Sequence, residues 1–295
     1  MSFSNSAKTE LCSVKNKKKC CLTAELNALL LFGNVFSEQE IRIITKNQNL
    51  LSHTNKILKT LCNITPETLL GKKLQIIIKS KNDIIKLYEK FGYTYGKQTQ
   101  LHINGQLIFD DCCRAAFLRG AILSGGFIND PEIKYHFEIV TPHKKIFAEF
   151  LALLNEMNIL VKQTIRSQNY VAYTKDSEQI EDILTIAGAN RSAITVMETK
   201  VIKDVRNRVN RNTNCEAANL SKTISASRVQ INAIKKLKKS IGLENLPAPL
   251  KAAAELRLKY PNDSIQTLVD QSPEPTSKSG LNHRLQKLIE LSQLK

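Results

Sequence analysis

The 295-residue sequence predicts an α+β fold built from two copies of one unit, followed by an all-α C-terminal part. Three observations predict it. The stretch C-C-R-A-A-F-L-R-G-A-I-L-S-G-G from Cys112 repeats, 92 residues on, the pattern C-C-L-T-A-E-L-N-A-L-L-L-F-G-N from Cys20. Behind each of these stretches, short alternating apolar runs and longer runs of helical spacing follow in the same order. From Arg191 onward only the helical period remains.

The duplication is legible position by position. Ala24 matches Ala116, Leu26 matches Leu118, Leu30 matches Ile122 and Gly33 matches Gly125. Further on, Thr45 matches Thr141 and Gly92 matches Gly188 at an offset of 96, so the second copy carries a four-residue insertion. The copies span about residues 10–92 and 110–188 of an N-terminal domain placed at residues 1–190.

Each copy opens on a helix with small residues at spacing four: Ala24 and Ala28 in the first, Ala116, Gly120 and Ser124 in the second. A glycine inside a helix costs roughly 1 kcal/mol relative to alanine, and a close backbone approach is the expected return. Such a ridge lets two helices cross unusually near one another. The two helices are therefore predicted to pair about a pseudo-twofold axis, each α+β half covering what the other leaves open. The glycines at their ends turn the chain into a first strand.

Short alternating runs typical of half-buried strands follow, such as I-K-Y-H-F-E-I-V (Ile133–Val140), and R-I-I-T ending at Thr45 matches E-I-V-T ending at Thr141. A helix follows (Asn49–Cys62; Lys144–Met157), then one further strand (Leu74–Lys79; Tyr170–Thr174) and a closing helix (Asn82–Phe91; Ser177–Ala187).

Residues 191–243 read as a basic helical linker. Ile194, Met197, Val201, Val205 and Val209 keep helical spacing, the polar N-R-N-T-N-C-E-A-A-N (Asn210–Asn219) predicts a break, and Ile231, Ile234, Leu237 and Ile241 mark a second helix. P-A-P (Pro247–Pro249) opens a last domain, placed at residues 244–295. Its first helix, Leu250–Lys259, stops at Tyr260-Pro261. Asp263-Ser264 caps a short second helix through Val269, and a Ser- and Pro-rich turn (Gln271–Thr276) leads into a third with Leu281, Leu285, Leu288 and Leu291/Ser292 on one face.

This three-helix pattern resembles a helix-turn-helix, whose last helix reads base edges in the major groove with its N-terminal half. On a helical wheel Ser279, His283 and Gln286 point away from the apolar stripe with Lys287 beside them, while Asn282 and Arg284 flank it. Ser277, Lys278, Ser279, Gly280, Asn282, His283, Arg284, Gln286 and Lys287 are the candidate DNA-contacting residues. In the linker the candidates are Arg206, Arg208, Arg211, Lys235, Lys236, Lys238 and Lys239.

Charge agrees with that reading. Lys and Arg number 43 against 27 Asp and Glu, a net charge of +16 that favours a polyanionic partner. Eleven basic residues against two acidic ones between Thr199 and Gly242 account for over half of the excess. Double-stranded DNA is the expected partner. No run is apolar enough to span a bilayer and no leader is visible, so a cytoplasmic, nucleoid-associated protein is expected, with no membrane, small-molecule substrate or cofactor. The seven cysteines include no C-x-x-C and suggest neither a disulfide framework nor a zinc site; buried, reduced thiols are expected.

L-N-A-L-L-L-F-G-N (Leu26–Asn34) and L-R-G-A-I-L-S-G-G (Leu118–Gly126) resemble the motif of the LAGLIDADG homing endonucleases, in which two such helices form the interface of a pseudo-dimeric saddle. The resemblance implies an acid at the penultimate motif position of each helix, the pair holding catalytic divalent metals. This chain has Gly33 and Gly125 there, and Glu38, Glu40, Asp130 and Glu132 lie past the helix ends. The saddle is expected without catalytic residues and without metal. A degenerate saddle, a linker with N-R-N-T-N-C-E-A-A-N and a terminal S-K-S-G-L-N-H-R-L-Q-K-L together resemble the bacterial WhiA family, over nearly the whole chain from M-S-F-S onward. That resemblance implies a non-enzymatic DNA-binding regulator of cell division and chromosome segregation, or of sporulation in spore formers, with another transcription regulator as a further partner class. The competing readings are an active LAGLIDADG-type endonuclease and a basic scaffold that binds an acidic protein.

Overall fold

A computed structural model describes residues 2–15, 18–96 and 101–293, so Met1 of the opening M-S-F-S lies outside the described residues. The chain divides into two compact units, Met1–Lys203 and Asp204–Lys295.

The first unit holds the duplication. After a short helix α1 (Phe3–Cys12), absent from the sequence reading, the first copy runs α2 (Lys19–Leu31), β1 (Val35–Phe36), β2 (Ile41–Thr45), α3 (Gln48–Cys62), β3 (Glu67–Leu69), β4 (Leu74–Ile78) and α4 (Lys81–Phe91). The second runs α5 (Asp111–Gly125), β5 (Gly126–Ile128), β6 (Phe137–Thr141), α6 (Lys144–Glu156), β7 (Lys162–Arg166), β8 (Asn169–Thr174) and α7 (Ser177–Ala187). Both form four-stranded antiparallel sheets of the same order, β1-β2-β4-β3 and β5-β6-β8-β7.

Two strand assignments are corrected. Each copy has two strands after its central helix, not one. The missed β3 and β7 are sheet edges, and all of β7 is exposed, so neither carries an alternating apolar signal. The run Ile133–Val140 pairs only from Phe137, because Asp130 and Pro131 start a turn in which Ile133 N–H donates to the Asp130 carbonyl at 3.1 Å.

The paired helices are where the ridge places them. A Cβ on Gly120 would overlap the Glu25 carbonyl oxygen and stand 2.9 Å from the Ala28 Cβ. Ser124 Oγ donates to the Leu29 carbonyl at 2.6 Å across the same crossing. Burial is nearly complete on both helices, from Ala24 to Phe32 and from Ala116 to Leu123, which is why neither has a polar face. Ile41, Ile43, Ile76 and Ile78 of one sheet and Phe137 and Ile139 of the other pack into this core.

From Asn190 to Ser240 the chain is one helix, α8, which corrects the predicted break at Asn210–Asn219. The stretch contains neither Gly nor Pro, and Asn, Thr and Cys cost at most roughly 0.7 kcal/mol each in a helix. Thr223 Oγ1 returns a hydrogen bond to the Asn219 carbonyl at 3.0 Å, so even the polar side chains work within the helix. Among the described residues no helix is long and apolar enough to cross a membrane.

The second unit packs Ile234 and Leu237 of α8 against α9 (Ala248–Lys259), α10 (Ile265–Asp270) and α11 (Lys278–Gln293). Leu246, Ala253, Ala254, Leu256, Leu268, Leu281, Leu285 and Leu288 complete the core. Arg257, 1% exposed, ties the end of α9 to the following turn by donating from Nη1 to the Asp263 carbonyl at 2.7 Å and to that of Tyr260 at 3.4 Å.

Candidate nucleic-acid interface

The spacing of leucines orients α11. With Leu281, Leu285, Leu288 and Ser292 buried, Ser279, Asn282, His283, Gln286 and Lys287 are exposed together. Four of the five carry short neutral or weakly basic groups that donate or accept hydrogen bonds in fixed directions. Lys287 makes only a surface pair with Glu290, at 3.4 Å with both side chains about half exposed, and such a pair is weak enough to yield to a phosphate. Glu290 keeps the C-terminal half of the face from being uniformly cationic, and the neutral row sits in the N-terminal half.

The remaining candidates on α11 divide by task. Ser277 Oγ accepts from Gly280 N–H at 3.1 Å and lies 3.1 Å from Ser279 Oγ, so this hydroxyl serves as the cap of the helix. Lys278 is exposed, Gly280 half-buried. Arg284 is also half-buried, lining a cleft of about 310 Å³ with Leu256, Tyr260, Glu255 and Glu274. Replacing it therefore disturbs packing as well as charge.

On α8 the candidate cations Arg206, Arg208, Arg211, Lys235, Lys238 and Lys239 are exposed. Lys236 differs: its Nζ donates to the Ser292 carbonyl in the last turn of α11 at 2.6 Å. Replacing Lys235, Lys238 and Lys239 with Gln is expected to weaken binding to all DNA sequences alike. The log–log salt slope should flatten by about 0.9 for each lysine that meets a phosphate. An unchanged slope in a salt titration would show that these lysines are only solvated.

The ends of the motif helices in the first unit look different. A Cβ at Gly125 would stand 2.7 Å from the Val140 carbonyl oxygen, and one at Gly33 3.1 Å from that of Leu30. A side chain at Gly125 would require the backbone to shift, and one at Gly33 would be tightly held. The acids nearby are engaged elsewhere: Glu38 Oε1 accepts from Gly96 N–H at 2.9 Å, Glu40 pairs with Arg42 at 3.2 Å, and Asp130 Oδ1 accepts from Glu132 N–H at 2.9 Å. Among the described residues, the groups able to gather ligand atoms on a metal contain cysteines and lie at the opposite ends of these helices.

The sheet faces turned away from the core are also charge-compensated. Across the second sheet, Phe127, Glu138, Tyr173 and Lys162 lie in register. Glu138 takes a bidentate bond from Arg166 at 2.8 and 3.2 Å, and His136 lies 3.1 Å away. Burial pushes the Glu138 carboxyl up, but the bonds from Arg166 and His136 outweigh it and hold the group below the ordinary carboxylate value. Arg166 is thus spent on an acid, as Arg42 is on Glu40.

One buried charged cluster escaped the sequence reading. Glu25, fully buried in α2, accepts from Arg119 Nε of α5 at 3.0 Å and lies 2.6 Å from His53 Nε2, and Arg119 Nη1 donates to the Ala187 carbonyl at 2.6 Å. The pair cross-links the two copies at their interface. Its available signal was a charged residue inside each otherwise apolar motif helix.

Comparison with known proteins agrees with this division. The family model for the WhiA C-terminal HTH domain matches residues 209–292, and that for the WhiA LAGLIDADG-like domain matches residues 114–206. Over 308 residues, 99% of this chain and 96% of the relative, the sequence is 38% identical to the "Probable cell division protein WhiA" of Desulforamulus reducens. It is 34% identical to the protein of the same name from Alkaliphilus metalliredigens, over 99% of this chain and 98% of the relative. The crystal structure of full-length DUF199/WhiA from Thermatoga maritima superposes with a TM-score of 0.61 at 23% identity, covering 100% of this chain and 99% of that one. The N-terminal LAGLIDADG domain of DUF199/WhiA superposes with a TM-score of 0.51 at 21% identity over 63% of this chain and 92% of that one.

Proposed function

Because the chain belongs to the WhiA family, matching its two domain models and its relatives over nearly their full length, we propose that it is a DNA-binding regulator that reads sequence through α11 and does not cleave. The observation that carries this reading is the exposed polar row Ser279, Asn282, His283 and Gln286 on a helix of the helix-turn-helix unit whose opposite face is buried. Base edges are read by such directional groups, whereas a uniformly cationic face binds backbone without preference. Arg206, Arg208, Arg211, Lys235, Lys238 and Lys239 supply the sequence-independent part of the affinity. The name borne by the relatives supports a role in cell division. Chromosome segregation, or sporulation in a spore former, belongs to the same proposal on family grounds, as do a nucleoid-associated cytoplasmic location and a second regulator as partner.

Mixing the full-length chain with fragmented genomic DNA, followed by footprinting, tests the reading. Protection of discrete sites, with affinity falling steeply as salt rises, is expected. Absence of any protected site would favour the basic scaffold instead.

Catalysis is tested separately. Gly33 and Gly125 offer no carboxylate, and the backbone leaves no room for one without a shift. Supercoiled DNA incubated with the protein and magnesium or manganese is therefore expected to stay intact. Cleavage that EDTA abolishes, and that persists through further purification, would make the chain a nuclease.

A further inference from the structure

The two C-C pairs of the duplication meet. Cys20 and Cys21 are the second and third residues of α2, and Cys112 and Cys113 are the second and third of α5. Since these helices pair along their lengths, the four thiols converge at one end of the interface, opposite the end that carries Gly33 and Gly125. The Sγ atoms of Cys20, Cys21 and Cys113 all lie within 4.8 Å of one another, with 4.0 Å between Cys20 and Cys21. Asp110 Oδ, Cys112 and Cys113 form an overlapping group at the same spacing. A cleft of about 290 Å³, lined in part by Cys20, Asp110 and Cys113, opens the cluster to solvent.

From this convergence we infer a zinc site, with Cys20, Cys21 and Cys113 as thiolate ligands and Cys112 as the fourth. Zinc–sulfur bonds of about 2.3 Å in a tetrahedron place sulfurs about 3.8 Å apart, close to the spacing of Cys20, Cys21 and Cys113, with Cys112 beside Cys113. Each thiol gives up a proton as it ligates, so four thiolates around one divalent ion leave a net charge of −2. The surroundings suit that charge. Both cysteine pairs lie in the first turn of a helix, where the dipole favours negative charge, and Lys18 Nζ lies 4.0 Å from Cys112 Sγ. Cys21 and Cys113 are buried, and a bound cation would offset the cost of holding their thiolates away from water. Bound there, the ion would join the two copies at the head of their shared helix interface, a structural role. The sequence conceals the site because no C-x-x-C announces it; the ligands are two adjacent pairs 92 residues apart.

The test uses the full-length chain, reduced with a phosphine, stripped of metal and titrated with cobalt(II) alone. Expected are a thiolate-to-cobalt charge-transfer band and strong tetrahedral ligand-field absorption. Both should saturate at one ion per chain and disappear when zinc is added, and zinc should raise the melting temperature. Because Cys20 is exposed, Cys20→Ser should fold normally yet lose part of the charge-transfer intensity and yield its metal to a chelator that the parent resists. The double variant Cys20→Ser/Cys113→Ser should lose stoichiometric uptake, whereas Cys62→Ser/Cys215→Ser should keep it. Absence of the thiolate band from reduced, folded parent protein would overturn the inference, and so would a band unchanged in Cys20→Ser. Formation of disulfides within the cluster by a chain that takes up no cobalt when reduced would overturn it in favour of a redox pair.

Discussion

Gly120→Leu unfolds the N-terminal unit at temperatures the parent chain withstands. Overpacking a core usually costs about 1–3 kcal/mol because side chains move aside. Here the first atom met is the Glu25 carbonyl oxygen, with the Ala28 Cβ at 2.9 Å, and a helix backbone cannot move aside alone. Separating α2 from α5 also strains the bond between Arg119 Nε and Glu25, now 3.0 Å long in a buried setting. Breaking a buried ion pair is itself costly, because each charge is left without solvent. The expected loss is therefore at the top of the overpacking range or beyond, roughly 3 kcal/mol, which for a unit of this size lowers the melting temperature by about 6–12 °C. Gly105→Ala is the control, since nothing lies within 4 Å of its added Cβ, and it should melt with the parent. An unchanged melting temperature for Gly120→Leu would mean that the crossing is looser than the structure has it.

Replacing Ser279, Asn282, His283 and Gln286 together with Ala should abolish preference for the natural site over random DNA while leaving the fold intact. All four are exposed, so no core contact is lost. Each good bidentate base contact discriminates by about 1–3 kcal/mol. Singly, Asn282→Ala and Gln286→Ala should reduce the ratio of specific to non-specific affinity by roughly five- to a hundred-and-fifty-fold. Lys287→Ala should lower both affinities together, as loss of a phosphate contact does. Arg284→Ala should lower both as well, but its half-buried position adds a packing loss that a melting curve will reveal. Specific and competitor DNA titrated at one salt concentration read the result. A quadruple variant that keeps its site preference would move the reading surface away from α11.

Much of this was open to inspection in the chain itself. The duplication survives as matched residues such as Ala24 and Ala116. The small-residue ridge foretells the crossing because only close backbones repay an interior glycine. The stripe Leu281, Leu285, Leu288 and Ser292 settles which side of α11 stays wet, since burial of apolar groups sets a helix's rotation. Local rules failed where the energy is marginal. The asparagine-rich stretch of α8 lies within a few tenths of a kcal/mol per residue of either state. The edge strands β3 and β7 bury too little to leave a pattern, and of the seven cysteines expected to be buried only Cys21 and Cys113 are.

What the sequence by itself determined was therefore periodicity: two copies of one α+β unit, then helices, with a neutral polar row on the last. Only the tertiary structure decided which distant groups meet. Glu25 finds Arg119 and His53, Lys236 is spent on the end of α11 rather than left for phosphate, and two cysteine pairs 92 residues apart become one cluster. The reason is physical. Periodicity along a helix fixes the direction of a side chain relative to its own axis. Its partner is fixed by how closely two axes approach and by what the packed interior leaves unpaired, and these depend on the whole fold at once.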